Sequence, residues 1–157
     1  MKSATLNELK KELQELSPKQ MQDLFIRLAK YKKDNKELLT FLLFEAHDEP
    51  AYIQNIKDEM DELFTEVNKR NVYLAKKTLR KIVRTANKYI RYSGSKTVQI
   101  EVLIYFCQGM KKTGISIRSS SVLENLYEQQ LKKIKKALST LHEDLQYDYQ
   151  QELDDLG

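Results

Sequence analysis

Helix-start signals recur along the whole chain. The first turn of a helix leaves backbone N–H groups unpaired, and a Ser, Thr, Asp or Asn followed three residues later by Glu or Gln satisfies two of them. Thr5 with Glu8 opens a first short helix carrying Leu6, Leu9, Leu13 and Leu16. Ser17 with Gln20 opens a second, with Pro18 at the first helical position, where its missing N–H costs nothing; Met21, Leu24, Phe25 and Leu28 form its apolar side. "KYKKDNKE" is a polar break in which Asp34 and Glu37 are expected to cap a third helix. That helix, "LLTFLLF", is apolar nearly all round, a profile that belongs in the middle of a core.

Pro50 starts a fourth helix running to about Lys69, with Ile53, Ile56, Met60, Leu63, Phe64 and Val67 on one side. Asn71 caps a fifth, and Gly94 is its natural stop. The sixth, from about Lys96 to Lys112, is rich in β-branched residues, but a strand over Val98 to Phe106 would have no partner strand, so helix is expected. Ser121 with Glu124 caps a seventh with no breaker before Gly157. At 1.5 Å per residue it would reach roughly 50 Å. A domain of this size is only about 40 Å across, so the helix is expected to bend, fray or protrude.

Four Gly and two Pro among 157 residues, with 32% charged and 41% hydrophobic, match this pattern. The expected fold is all-α: one domain over residues 1–157, with about seven helices in an irregular bundle or short α-solenoid around the third, fifth and sixth. Residues 145–157 form an acidic end expected to fray. Cys107, the single cysteine, lies in "VLIYFC" and is expected to pack as a small hydrophobe. The start "MKSATLNELKKEL" has no apolar secretory core, and no window reaches the roughly 18 apolar residues of a membrane span. A cytoplasmic location without membrane contact is therefore expected.

Catalytic chemistry has little to draw on. There are two histidines, His47 and His142, and no Gly-rich phosphate loop, H-E-x-x-H, C-x-x-C or G-x-S-x-G. "EAHDEP" groups Glu45, His47, Asp48 and Glu49 like a ligand set, but at a helix end such residues also serve as solvated turn groups. Asp58, Glu59, Asp61 and Glu62 have no matching set of ligands on another helix. No catalytic residue, cofactor or metal is expected, and the chain reads as a non-enzyme.

The charge pattern is more informative. Val67 to Ile100 holds ten Lys or Arg and no Asp or Glu. On a helical wheel Val72, Ala75, Leu79, Ile82, Val83, Ala86 and Ile90 fill one arc, and Lys77, Arg80, Lys81, Arg84, Lys88 and Arg91 the opposite one, with Tyr73 and Tyr92 within or beside it. Three readings compete. The cations could neutralise nucleic-acid phosphates while the tyrosines stack on bases. They could be answered inside the chain, since Glu45 to Glu66 holds eight acids against one base, Lys57, and six acids and no base follow Lys136. They could meet an acidic protein or a membrane surface, although the apolar arc is needed for the core and lacks Trp and Phe.

Leu131, Ile134, Leu138, Leu141 and Leu145 follow 3-4-3-4 spacing, a seam for a self-association partner or for helices of the same chain. "LNELKKELQELSPKQMQDLFIRLAKYKKDNKELLTFLLF", residues 6–44, resembles the start of an uncharacterised family of small bacterial all-helical proteins, a resemblance that implies helix packing and carries no activity. The succession of short capped helices also looks loosely like HEAT-type repeats, whose concave basic faces can hold DNA, although no repeat period is detectable. The functional expectation is a non-catalytic interaction module, with nucleic-acid binding as the alternative.

Overall fold

The computed structural model describes all residues, 1–157, as eight α-helices with no strand. They are α1 (Leu6–Gln14), α2 (Pro18–Tyr31), α3 (Lys33–Thr40), α4 (Glu49–Thr65), α5 (Val72–Ser93), α6 (Lys96–Lys112), α7 (Ser121–Leu138) and α8 (Glu143–Leu156), with a π-helical turn at Phe41–Glu45 and a 3-10 turn at Ile117–Ser119. No helix is long and apolar enough to cross a membrane. The chain divides into two compact units, Met1–Phe44 and Glu45–Gly157.

The C-terminal unit is a bundle around α6. Ser95 starts that helix by accepting the Val98 N–H at 3.3 Å. Val98, Ile100, Val102, Leu103, Ile104, Phe106, Cys107 and Met110 are all buried, because α4, α5, α7 and α8 pack around it. Burial on every side overrides the β-branched preference for strand. One helix in contact with four others is a bundle, since a solenoid repeat touches only its neighbours. Gly109 lets α4 approach closely: a Cβ there would run into the Phe64 ring, which stacks on Phe106 at 6.0 Å.

Asn71 caps α5 by accepting the Leu74 N–H at 3.1 Å, and Gly94 ends it with φ +65°. Ala75, Leu79, Ile82, Val83, Ala86 and Ile90 are buried, so the expected apolar arc faces the core. Two expected caps are absent. α3 begins after Lys32 with no side-chain cap, and Asn35 instead donates from Nδ2 to the Leu28 carbonyl at 2.8 Å. α7 begins after Ser120, again without a side-chain cap.

The expected long C-terminal helix is two helices. Ser139 and Thr140 turn their hydroxyls back to the Lys136 and Ala137 carbonyls, each at 2.7 Å, and His142 Nδ1 accepts the Asp144 N–H at 3.2 Å. Lys135 and Lys136 sit at the negative end of α7, Glu143 and Asp144 at the positive start of α8, so both helix dipoles favour a break between them. The chain folds back: Tyr127 donates to the Leu156 carbonyl at 2.7 Å, Lys111 Nζ to that of Asp155 at 3.0 Å, and Leu153 and Leu156 are buried. Of the 3-4-3-4 seam, Leu131, Ile134 and Leu138 are buried inside the chain, Leu141 lies in the turn, and Leu145 is exposed on α8.

Gln130 is an exception within this core. It is 1% exposed, its amide nitrogen reaches only the Leu126 carbonyl of its own helix at 3.1 Å, and Oε1 has no partner. An unsatisfied buried acceptor costs about 1–3 kcal/mol. Gln130→Met keeps length and volume while removing it, and is expected to raise the stability measured by urea unfolding by about 1 kcal/mol.

The N-terminal unit is built differently. α1, α2 and α3 contain no buried residue at all, and Phe41 is the one buried side chain of the unit. The apolar profile of "LLTFLLF" predicts a place at the centre of the core. The segment lies instead on the surface, where Leu42, Leu43 and Phe44 are more than half exposed.

Candidate interaction surfaces

The cationic face of α5 is uncovered. Lys77, Arg80, Lys81, Arg84 and Arg91 are all exposed. Lys81 Nζ meets Glu66 at 3.6 Å in a solvent-exposed pair, while Lys77, Arg80, Arg84 and Arg91 have no acid within 4.0 Å. Such a pair contributes at most about 1 kcal/mol. Lys88 is half-buried, with Nζ 5.1 Å from the centre of the Tyr89 ring. From Lys77 to Arg91 the charges run along about 21 Å of helix.

The two tyrosines differ. Tyr73 is 68% exposed at the N-terminal end of this face, available to a flat ligand. Tyr92 packs edge-on to Tyr89 at 6.2 Å, Tyr89 in turn meets Tyr52 at 6.5 Å, and the Tyr52 hydroxyl donates to the Tyr89 carbonyl at 2.8 Å. Tyr92 thus belongs to an aromatic cluster that joins α4 to α5.

Apart from Glu66, the acids expected to answer these cations make no ion pair with Lys77, Arg80, Lys81, Arg84 or Arg91, and several are engaged elsewhere. On α4, the two Asp61 carboxylate oxygens share the Tyr105 hydroxyl at 2.7 and 2.8 Å, and Asp58 accepts from Gln54 at 2.8 Å. The acidic α8 packs on α6 and α7, and its Asp154 and Asp155 side chains accept from Gln150 and Gln151 of the same helix. The reason is geometric: α4 and α5 share an apolar face, which turns their charged faces away from each other.

A polar cluster lies where α4, α6 and α8 meet. Glu101 accepts from Tyr149 at 2.9 Å and pairs with Lys57 at 3.5 Å, and Lys57 Nζ sits 5.3 Å from the Tyr105 ring centre. A shallow cavity of about 190 Å³ opens beside it, lined by Glu49, Gln54, Lys57 and Glu101 among others. Lys57 and Glu101 are thus held by each other and by tyrosines, and the arrangement fastens α8 to the bundle. Burial pushes the Cys107 thiol up to about 12, so it stays protonated and unreactive. Asp48 accepts the Ala51 N–H at 3.1 Å, capping α4. No three His, Cys, Asp or Glu side chains converge into a ligand set.

Four tyrosine hydroxyls are raised in the folded chain, each chiefly by burial. Tyr105 and Tyr127 reach about 12, Tyr105 with further help from Asp61; Tyr52 and Tyr149 are raised as well, Tyr149 partly by Glu101. A raised folded value means that the unfolded chain loses these protons first. The stability these tyrosines contribute is therefore fully present below about pH 10 and is lost as pH rises from there through the folded values. Thermal melts should show a steep drop in Tm above about pH 10, with phenolate absorbance appearing together with loss of helix.

The second surface belongs to the N-terminal unit. Between α2 and α3 runs a groove of about 540 Å³ with a floor of Ile26, Ala29, Leu39 and Leu43 and lysines 30, 33 and 36 along it. On the other side of the same helix pair, Phe25, Leu28, Leu38 and Leu42 line a hollow of about 210 Å³. The sequence offers a signal for this surface that charge analysis passes over: three consecutive amphipathic segments too short to cover one another. Comparison with protein-family models, curated proteins and solved structures found no match, so the functional reading rests on this geometry.

Proposed function

We propose that this chain is a non-catalytic helical interaction module whose N-terminal unit engages a macromolecular partner through apolar contacts. The observation behind this reading is the contrast between the two units: Glu45–Gly157 has a filled core, whereas Met1–Phe44 buries only Phe41 and leaves most of its leucines, with Phe25 and Phe44, exposed. Ordinary monomer surfaces carry apolar patches of about 300–600 Å², and larger ones mark interfaces. The test is quantitative co-purification of the tagged chain from cells that make it, alongside a Leu42→Asp/Leu43→Asp variant. Proteins, including untagged copies of the chain itself, are expected on the wild type and lost from the variant. An identical set on both would overturn the reading.

A second reading is favoured by one specific observation: Lys77, Arg80, Arg84 and Arg91 of α5 are exposed with no acid within 4.0 Å. Lys77, Arg80, Lys81, Arg84, Lys88 and Arg91 would neutralise phosphates of a nucleic acid without regard to sequence, with Tyr73 as the stacking group. Tyr92, enclosed by Tyr89, contributes to the shape of the face.

A further inference from the structure

We infer that the occupant of the N-terminal apolar face is a second copy of this chain, with α1 of each copy lying in the α2–α3 groove of the other. This deepens the proposed function and rests on it.

α1 is a complete helix whose apolar side is only partly covered, with Leu13 and Leu16 half-buried. Its capping box is closed, the Thr5 N–H donating to Glu8 at 2.7 Å and the Glu8 N–H to Thr5 Oγ1 at 3.3 Å, yet Leu6 is 86% and Leu9 48% exposed. Isolated helices of nine residues are unstable in water, so its apolar face requires a cover. Its own groove does not supply one. The turn after α1 is fixed by a second capping box, Ser17 N–H to Gln20 Oε1 at 2.9 Å and Gln20 N–H to Ser17 Oγ at 3.2 Å, and no α1 residue lines the groove.

Charge and area both point to self-complementarity. On a wheel, Leu6, Leu9 and Leu13 share an arc bordered on one side by Glu12 and Glu8 and on the other by Lys10. The groove presents an apolar floor with Lys30, Lys33 and Lys36, of which Lys33 has a partial answer in Glu37 at 3.7 Å. The acidic edge of the leucine helix therefore matches the lysines along the groove, and one chain carries both. The exposed apolar side chains of helix and groove, Leu6, Leu9, Ile26, Leu43 and Phe44, supply roughly 400 Å² at about 80 Å² apiece, close to the apolar share of the ~800 Å² that each partner gives to a stable interface. Reciprocal exchange fills both grooves and closes the assembly, as two-fold symmetry requires.

The experiment is sedimentation of the full chain at micromolar concentration with three variants. The wild type is expected to be a dimer. Leu9→Glu, which spoils α1, and Leu43→Glu, which spoils the groove floor, should each be monomeric, and mixing the two should restore a heterodimer because one intact helix–groove pair remains. Lys30→Glu/Lys36→Glu should weaken the dimer at least about 100-fold, and Glu12→Lys in the same chain, which leaves the Thr5–Glu8 capping box in place, should restore part of that loss. Since a glutamate variant could fail to fold, a Leu9→Cys/Leu43→Cys chain provides an independent readout: oxidation should link two copies. A monomeric wild type overturns the second-copy inference while the co-purification experiment still decides the broader reading. A dimer that survives both glutamate substitutions, or cysteines that close only within one chain, overturns it equally.

Discussion

Phe106→Ala is expected to cost about 3–5 kcal/mol, a loss that would lower Tm by roughly 10 °C for a chain of this length. Phe106 is fully buried in the middle of α6 and stacks on Phe64 across the close approach that Gly109 permits. Removing the ring opens a cavity where α4 cannot move closer, because the Phe64 ring already lies against the Gly109 backbone. Collapse is therefore poor and the cavity penalty is near its upper range. Chemical denaturation read by circular dichroism provides the check; a loss below about 1 kcal/mol would mean that α6 is not the hub of the bundle. Seam residues supply the internal control. Ile134→Ala should cost about 2–4 kcal/mol and Leu145→Ala below about 1, since the first is fully buried and the second exposed, although both occupy the same heptad pattern.

That pair of residues shows where sequence reading succeeds and stops. The amphipathic arc of α5, its Asn71 cap and its Gly94 stop are legible because each depends on local chemistry: a side-chain acceptor, a 3.6-residue period, a residue tolerant of positive φ. The break at Ser139–His142 is not, because neither Gly nor Pro marks it. Its signal is instead a reversal of charge, Lys135 and Lys136 before it and Glu143 and Asp144 after. "LLTFLLF" misleads in a different way. Composition says that these residues need burial but not against what, and within the chain Phe41 is buried while Leu42, Leu43 and Phe44 stay more than half exposed. The cationic face is legible as residues, while whether acids cover it depends on how α4 rolls about its axis, a matter of packing that no local pattern records.

Arg80→Glu/Arg84→Glu is expected to abolish retention of single-stranded nucleic acid in a low-salt gel-shift while leaving the fold intact. Four cations on this face, Lys77, Arg80, Arg84 and Arg91, have no ion pair to lose, so the double reversal breaks no internal contact. It also turns two like-charge i,i+4 spacings, Lys76 with Arg80 and Arg84 with Lys88, into opposite-charge pairs, each favourable by a few tenths of a kcal/mol, while positions 80 and 84 stay alike in sign as before. Tm should stay the same or rise slightly. For the wild type, neutralising about four phosphates of a single strand predicts a slope near −3 in log affinity against log salt, so a fourfold rise in salt should weaken binding about 50-fold. Tyr73→Ala should weaken it further without changing that slope, because stacking releases no counterions. Binding indifferent to salt, or surviving the reversal, would remove α5 from the account; a reversal that instead lowered Tm by several degrees would mean that these cations are answered within the chain after all.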